Sequence, residues 1–510
     1  MDTPYCFARR RAAGFSFEGS TSCTLGQRVG DADGIWAWWS WDGAQLTAAN
    51  ERYGLYPLYC YSAPDAVGLS TSIPRLIALG ADTALDYGAL AVFLRLGFFI
   101  GDDTPFRHIR AVPPAASLGW DGTLRLHCSG RAAPRPAAMR RHAVVDAYID
   151  LFRQSIARRA PQDKEWIMPL SGGRDSRHIL FELLRQGHRP ALCLTTEHFP
   201  PRGAEDVRVA GVLARELGLS HVVLPQPSCR FEAELRKNLL TGFCSDEHAW
   251  YLAAMDYLKR QGRPVYDGIG GDVLSAGLFV SPRSLALFGS CDPHAIANGL
   301  LDADEEALAG LLPAQLLRRM SRELAVEHLG AEVARHLDGP NPIASFYFWN
   351  RTRREIALVP YGLLGGLPQV HAPYLDHALF DLLASLPLAM VADHTLHSEA
   401  IARAYPEWAH LPYENKQALS PSAAALDARF ARRLARSLLA RPSPLVRGGF
   451  LWPRLLGCLA SERVASGSGW YASLALYLHQ LGVQTQTPPA KVALRAEPGA
   501  LTSSRSGIPS

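Results

Sequence analysis

Hydrophobic and polar positions divide the 510-residue chain into two regimes. Up to about residue 130 the apolar runs are short, at 35–41, 55–61, 68–70 and 117–120, and Asp-Gly pairs at 33–34, 42–43 and 121–122 punctuate them. Runs of this length between such turns predict hairpins of an antiparallel sheet. From residue 142 onward strand-like and helix-like stretches alternate. Stretches 166–170, 191–195, 221–224 and 264–267 read as strands, and 142–159, 203–217, 231–240 and 247–259 as helices. Such alternation predicts parallel βαβ units and a doubly wound sheet. Ligands of these sheets lie beyond the carboxyl ends of the strands, where Ser171, Thr195, Thr196 and Asp267 fall. Pro134 and Pro136 mark a linker at 131–141 between the two regimes. An Arg/Leu/Ala-rich stretch at 421–483 predicts further helix, and the polar, Pro/Ser-rich 484–510 predicts a disordered tail. The resulting division is 1–130, 131–141, 142–483 and 484–510.

Composition narrows the classes. Hydrophobic residues make up 48% and charged ones 20%, as in ordinary globular proteins, and a net charge of +4 gives no reason to expect nucleic acid. Nine cysteines without a CxxC pair predict neither a zinc knuckle nor a disulfide framework. No segment reads as a signal peptide or membrane span, so the expected location is cytoplasmic, with no membrane partner.

The densest chemistry is Leu170-Ser-Gly-Gly-Arg-Asp-Ser176, between a strand and a helix whose apolar face carries Ile179, Leu180, Leu183 and Leu184. A strand, a glycine turn and a helix start make an anion site, because the turn amides and the helix amino end point one way. Ser171 and Ser176 add hydroxyls. Asp175 beside an anion requires an intervening divalent cation, which magnesium arriving with a nucleotide supplies. Lysine is missing after the glycines, so this is not the GxxxxGK[ST] loop.

The stretch resembles the SGGxDS signature of ATP pyrophosphatase ("PP-loop") enzymes, which cleave ATP between the α and β phosphates. A second element, Asp267-Gly-Ile-Gly-Gly-Asp272, resembles the glycine-rich loop of asparagine synthetase-like enzymes, whose aspartate joins the PP-loop aspartate in holding magnesium. In the amino-terminal regime Arg52-Tyr-Gly-Leu-Tyr-Pro-Leu-Tyr59 and the stretch ending Val112-Pro-Pro114 resemble that family's glutaminase domain. Val370-His-Ala-Pro-Tyr-Leu-Asp376 and the 396–416 segment resemble its later motifs. The implied fold is an α+β, Ntn-type antiparallel sandwich followed by an α/β PP-loop synthetase domain with a helical carboxyl-terminal part.

The resemblance implies ATP and Mg²⁺ as cofactors and a carboxylate that attacks the α phosphate, giving an acyl-adenylate, pyrophosphate and then an amide with release of AMP. Ser171, Gly172, Gly173 and Ser176 would hold pyrophosphate, with Gly270 and Gly271 beside it. Asp175 and Asp272 would hold magnesium; Leu170, Thr195 and Thr196 would line the nucleoside; Lys416 would steady the acyl-adenylate. Two departures matter. The family's glutaminase uses a cysteine directly after the initiator methionine, where this chain has Asp2, so no internal ammonia is expected. Ile269 stands where asparagine synthetases carry Glu and β-lactam synthetases carry Tyr, and it cannot move a proton.

Members lacking the glutaminase nucleophile include β-lactam synthetases and lasso-peptide macrolactam synthetases, and the second is the first choice here. The substrate would be a peptide or small carboxylate, and the partners a leader peptidase and a precursor-recognition protein. The alternatives are an asparagine synthetase-like ligase using ammonia or a small amine, a β-lactam synthetase-like cyclisation, and, from another class, an inactive nucleotide-binding scaffold. Asp376 is read as the cap of the helix beginning at His377 and His178 as a helix residue behind the loop; the Arg351 to Arg354 cluster reads either as a site for a substrate carboxylate or phosphate or as a wet helix face, the second being preferred.

Overall fold

The computed structural model describes residues 3–129, 134–162, 165–199, 205–415, 424–461, 464 and 469–486. Its amino-terminal part holds β1 (Tyr5–Arg11), β2 (Gly14–Gly19), β3 (Ser22–Val29), β4 (Asp33–Trp41), β5 (Leu46–Asn50), β6 (Tyr59–Ala63), β7 (Ala66–Ser70), β8 (Ile109–Ala111), β9 (Ala116–Trp120) and β10 (Leu124–Cys128), with helices α1 (Ile73–Ala78) and α2 (Tyr87–Leu96). These strands form two antiparallel sheets, ordered β2-β1-β7-β6-β8 and β10-β9-β5-β4-β3. Along β4 the alternation is visible: Ile35, Ala37 and Trp39 are buried, while Trp36 and Trp38 are half-buried. Phe17 stacks on Trp41 with ring centroids 5.1 Å apart, and Phe15 lies 5.2 Å from Trp120, so aromatic side chains join the two sheets.

Two local expectations need correction. The predicted strand at 55–61 starts only at Tyr59. Upstream, the Glu51 carboxylate accepts from the amides of Tyr53 at 2.5 Å and Leu55 at 2.7 Å, and Gly54 takes φ +61°, so 51–57 is held as a turn. Asp33-Gly34 likewise lies inside β4, paired with Val29 and Arg28, and Gly30 at φ +61° serves the preceding turn.

The second part contains one parallel sheet of β11 (Ile167–Pro169), β12 (Leu192–Thr196), β13 (His221–Leu224), β14 (Val265–Tyr266) and β15 (Val370–His371), in the order β13-β12-β11-β14-β15. Helices α3 (Arg141–Arg158), α4 (Asp175–Arg185), α5 (Glu205–Glu216), α6 (Arg230–Leu240), α7 (Leu252–Gln261) and the short α8 (Gly271–Ser275) accompany it. The chain runs outward from β11 through β12 to β13, then returns to the other side of β11 for β14. The direction in which strands are added therefore reverses between β11 and β14, which makes the carboxyl ends of these two strands a topological switch point. The helix predicted at 247–259 begins later, because His248 at φ +77° and a 3₁₀ turn at Ala249–Tyr251 precede α7.

Helices Ala424–Ala440, Gly448–Ala460 and Gly469–Gln486 fill most of the carboxyl-terminal stretch read as helical. The last of them runs through 484–486, where the tail was expected to start; 487–510 lie outside the described residues, as do Asp2 and 130–133 of the linker region. No helix among the described residues is long and apolar enough to cross a membrane.

Arg353 and Arg354 contradict the wet-face reading. Both are buried, at 4% and 3% exposure. Arg353 donates to the carbonyls of Gly101 and Val112 at 2.9 and 3.1 Å and to Asp102 at 2.7 Å, and Arg354 donates to the Asp103 carbonyl at 2.6 Å. Carbonyls collected from the sheet region explain guanidinium groups where periodicity alone predicted a solvated face. Arg351 is the partly exposed member and pairs with Glu247 at 2.6 Å.

Candidate active site

The loop after β11 is a tight turn closed by its own hydroxyls. Ser176 Oγ in the first turn of α4 accepts from the Ser171 amide at 3.0 Å and lies 3.0 Å from Ser171 Oγ, while the Gly173 amide donates to Ser171 Oγ at 3.2 Å. The Gly172 amide donates to the Asp206 carboxylate on α5. A carboxylate on that amide marks a donor suited to a phosphate oxygen, since both are anions meeting an N–H at a helix start.

The loop after β14 meets this turn directly. The Asp272 amide donates to Asp175 Oδ2 at 3.2 Å, joining residues 97 apart in the chain. The approach is so close that only glycine fits. A Cβ on Gly268 would stand 2.6 Å from Asp175 Cβ, and one on Gly271 would stand 2.6 Å from Asp175 Oδ1. Gly270, at φ +90°, turns the chain into α8, in a left-handed conformation that a side chain would strain. Asp267 begins this loop as an acceptor for the Ile269 amide at 2.8 Å. Burial pushes Asp267 up to about 6; the Ile269 amide opposes the rise and the charge of Asp272 adds to it. Ile269 itself is buried, at 4% exposure, among apolar neighbours.

The other predicted residues take mixed positions. Leu170, Thr195 and Thr196 are buried at the ends of β11 and β12. The Thr195 hydroxyl donates to the Leu170 carbonyl at 2.7 Å and lies 2.8 Å from His221 Nε2, so its polar atom ties neighbouring strands together. Lys416 lies outside the described residues. Its approach is fixed, however: the Glu414 amide donates to the Gly172 carbonyl at 3.1 Å, Arg177 donates to the Leu411 carbonyl at 3.1 Å and to that of Pro412, and the Tyr413 ring lies 3.8 Å beneath Arg177. The segment leading to Lys416 is thus pinned on the Ser171–Gly173 turn and on α4.

Asp376 caps its helix by accepting from the Leu379 amide at 3.4 Å, and it also binds Arg158 at 2.6 Å and Arg159 at 2.9 Å. Burial raises its carboxyl, but hydrogen bonds and charge from the two arginines outweigh that and hold it below the ordinary carboxylate range.

Sequence reasoning missed Asp206, Glu414, Arg177, Tyr374 and His397. Asp206 sits in no motif; Arg177 directly follows the first signature, and Tyr374, His397 and Glu414 lie within the later segments noted above, but their meeting at the two loops is set by the fold. A separate cavity of about 480 Å³ lies against the amino-terminal sheets, lined in part by Asp103, Arg110 and His328. Those charges pair with one another, at 2.6 Å for Arg110–Asp103 and 2.7 Å for His328–Asp103, and the two loops take no part in it.

A pair of facing loops at a switch point, one an Ser-Gly-Gly anion turn and the other bearing Asp272, invites comparison with known families. The asparagine synthase family model matches residues 147–351. The match supports a place among asparagine synthetase-like proteins, which are ATP-dependent carbon–nitrogen ligases, and it suggests ATP-dependent amide ligation for this chain. It takes in β11 to β14 with both loops and ends at Arg351, before Tyr374, His397 and Lys416. No curated protein matches the chain.

The donor set suits magnesium. No cluster of three His, Cys, Asp or Glu side chains suited to a metal occurs among the described residues. Two carboxylates alone fit Mg²⁺, which is held in nucleotide enzymes by one or two carboxylates together with substrate phosphates and water.

Proposed function

We propose that this protein adenylates a carboxylate with ATP and passes the acyl group to an amine, and that its product is the macrolactam of a lasso peptide, closed between an N-terminal amine and an Asp or Glu side chain. The observation that carries the ligase reading is the Asp272 amide to Asp175 Oδ2 contact of 3.2 Å at the β11/β14 switch point. Ser171, Gly172, Gly173 and Ser176 hold the pyrophosphate portion through amides and hydroxyls. Leu170, Thr195 and Thr196 bound the nucleoside side. Gly268, Gly270 and Gly271 keep the second loop low enough for Asp175 and Asp272 to serve one ion. Magnesium bound there would neutralise phosphate charge and ease pyrophosphate departure. Lys416, whose preceding residues lie on the turn, supplies positive charge to the acyl transfer.

Two features support a peptide amine over ammonia released from glutamine. Cys6 lies within β1, paired with both neighbours, and burial pushes its thiol well up; burial raises Cys60 to about 12. Neither is a thiolate nucleophile at neutral pH. At the loop, Ile269 offers no proton acceptor, so the nucleophile must arrive neutral. A peptide α-amine, with a pKa of about 7.7–8.0, is partly neutral at pH 7, whereas a lysine-type amine near 10.4 is not. A leader peptidase and a precursor-recognition protein are the partners this chemistry calls for.

The test is ATP–pyrophosphate exchange in the presence of candidate acidic peptides, followed by mass spectrometry for loss of one water per AMP formed. Exchange driven by the peptide and a cyclic product support the proposal. Glutamine hydrolysis by the purified protein, or exchange driven only by free aspartate, would overturn it.

A further inference from the structure

One side chain that reaches both loops belongs to neither. His397, on helix Leu396–Ala404, is fully buried. Its Nδ1 lies 3.0 Å from Ser275 Oγ and 3.5 Å from Asp175 Oδ1; its Nε2 lies 3.1 Å from Tyr374 OH and 3.3 Å from His178 Nδ1. Ser275 Oγ in turn donates to the Gly271 carbonyl at 2.7 Å and lies 3.1 Å from Tyr148 OH.

Counting protons fixes the direction of this network. Ser275 has one hydroxyl proton, committed to Gly271, so its oxygen accepts from Tyr148 and from His397 Nδ1–H. A proton on Nδ1 leaves His397 Nε2 as an acceptor for Tyr374 or for His178 Nδ1–H. His178 completes the assignment: its Nε2 is buried without a hydrogen-bond partner, and an unprotonated nitrogen is the cheaper state there. His178 stacks on Phe152 at 3.7 Å between centroids, which fixes the ring plane. The N–H of His397 therefore points at the gap between Ser275 and Asp175.

We propose that His397 is a positioning residue that aims the Asp175 carboxylate and, through Ser275, holds the Gly271 loop against it. The inference rests on the ligase reading of the site. A neutral imidazole suits this task better than arginine or lysine would. Its Nδ1–H, accepted by Ser275 Oγ, presents a partial positive charge 3.5 Å from Asp175 Oδ1 while leaving the carboxylate's negative charge uncancelled for a cation, and outer-shell groups of this kind orient ligand carboxylates.

The test uses the full chain and reads binding instead of turnover. Pyrophosphate binding is measured by calorimetry with and without Mg²⁺, alongside ATP binding without metal and a thermal melt. His397→Asn keeps a donor at the Nδ1 position; His397→Gln moves it toward Tyr374; His397→Leu removes it. Metal-dependent pyrophosphate affinity should fall about 10–100-fold in the Leu and Gln variants, the usual range for an outer-shell partner, and recover in the Asn variant. Metal-free ATP binding should not change. Should the Leu variant fail to fold, Tyr374→Phe removes the hydroxyl that lies 3.1 Å from Nε2 with little change of shape, and a loss of roughly 3–10-fold is expected from one hydrogen bond. Equal loss in Asn and Leu variants, or no loss in a folded Leu or Phe variant, overturns the positioning role while leaving the ligase reading intact. Lack of Mg²⁺-dependent pyrophosphate binding by the unaltered protein overturns both.

Discussion

Gly271→Ala tests the meeting of the two loops with a single methyl group. The added Cβ would lie 2.6 Å from Asp175 Oδ1, 2.7 Å from its Cγ and 2.9 Å from a ring carbon of Tyr374. The backbone at Gly271 needs no left-handed conformation, so the perturbation is purely steric. Returning to ordinary contact at 3.4 Å demands that the carboxylate retreat by about 0.8 Å. Tyr374 cannot absorb this, because it is fully buried and its hydroxyl is engaged by His178 and His397. Misplacement of a reacting group by about 1 Å costs on the order of 10²-fold in rate, or about 2.7 kcal/mol. Overpacking of the surroundings adds about 1–3 kcal/mol of lost stability. ATP–pyrophosphate exchange with a competent acid should therefore fall by roughly 10²-fold, measured at a temperature where the variant is folded. Gly289→Ala is the control, since no atom lies within 4 Å of its added Cβ. Exchange at the unaltered rate in a folded Gly271→Ala protein would show that Asp175 does not act from the position observed.

Further outcomes follow from neighbouring contacts. Asp206→Asn removes a negative charge from the Gly172 amide and should tighten Mg²⁺–pyrophosphate binding roughly fivefold, or about 1 kcal/mol, by titration calorimetry. Glu51→Gln turns an amide NH₂ toward backbone donors and should cost about 1–3 kcal/mol in denaturant unfolding. Asp376 is depressed below its ordinary value of 3.8, so its ion pairs stabilise the fold above that pH and are lost as the pH falls below it. Asp376→Asn should flatten that acid limb and cost about 1.5–3 kcal/mol at neutral pH, the worth of a hydrogen bond to a charged group, because the buried Arg159 then keeps only Asp33 as its counter-charge.

The switch-point site was legible because each loop carries its own local signal. Ser171 to Ser176 and Gly268 to Asp272 are short, contiguous and made of residue types whose spacing dictates turn geometry. Their meeting could be inferred from the alternation of strand and helix, since only a doubly wound order places β11 beside β14. Residues that act across the chain left no such trace. His397 sits 219 positions from His178 on an otherwise ordinary amphipathic helix, and Asp206 is the second residue of α5. The turn at 51–57 was hidden for a related reason: an apolar run with strand-like residues was overruled by one buried carboxylate gathering three amides.

The arginines at 353 and 354 explain why the two-sheet region is bound to the synthetase part whether or not it handles glutamine. Their helix belongs to the parallel-sheet half of the chain, yet the acceptors at Gly101, Asp102, Asp103 and Val112 belong to the sheet half. Removing those acceptors would leave two buried guanidinium groups without partners, which costs far more than an exposed charge. Arg351 on the same helical segment bonds instead to Glu247 and lies close enough to Asp272 to feel its charge. A displacement of this segment would therefore be felt at the second loop. The sheet half, whose Cys6 and Cys60 are buried, fixes the helical segment beside Asp272 by supplying carbonyls, a role that needs no nucleophile.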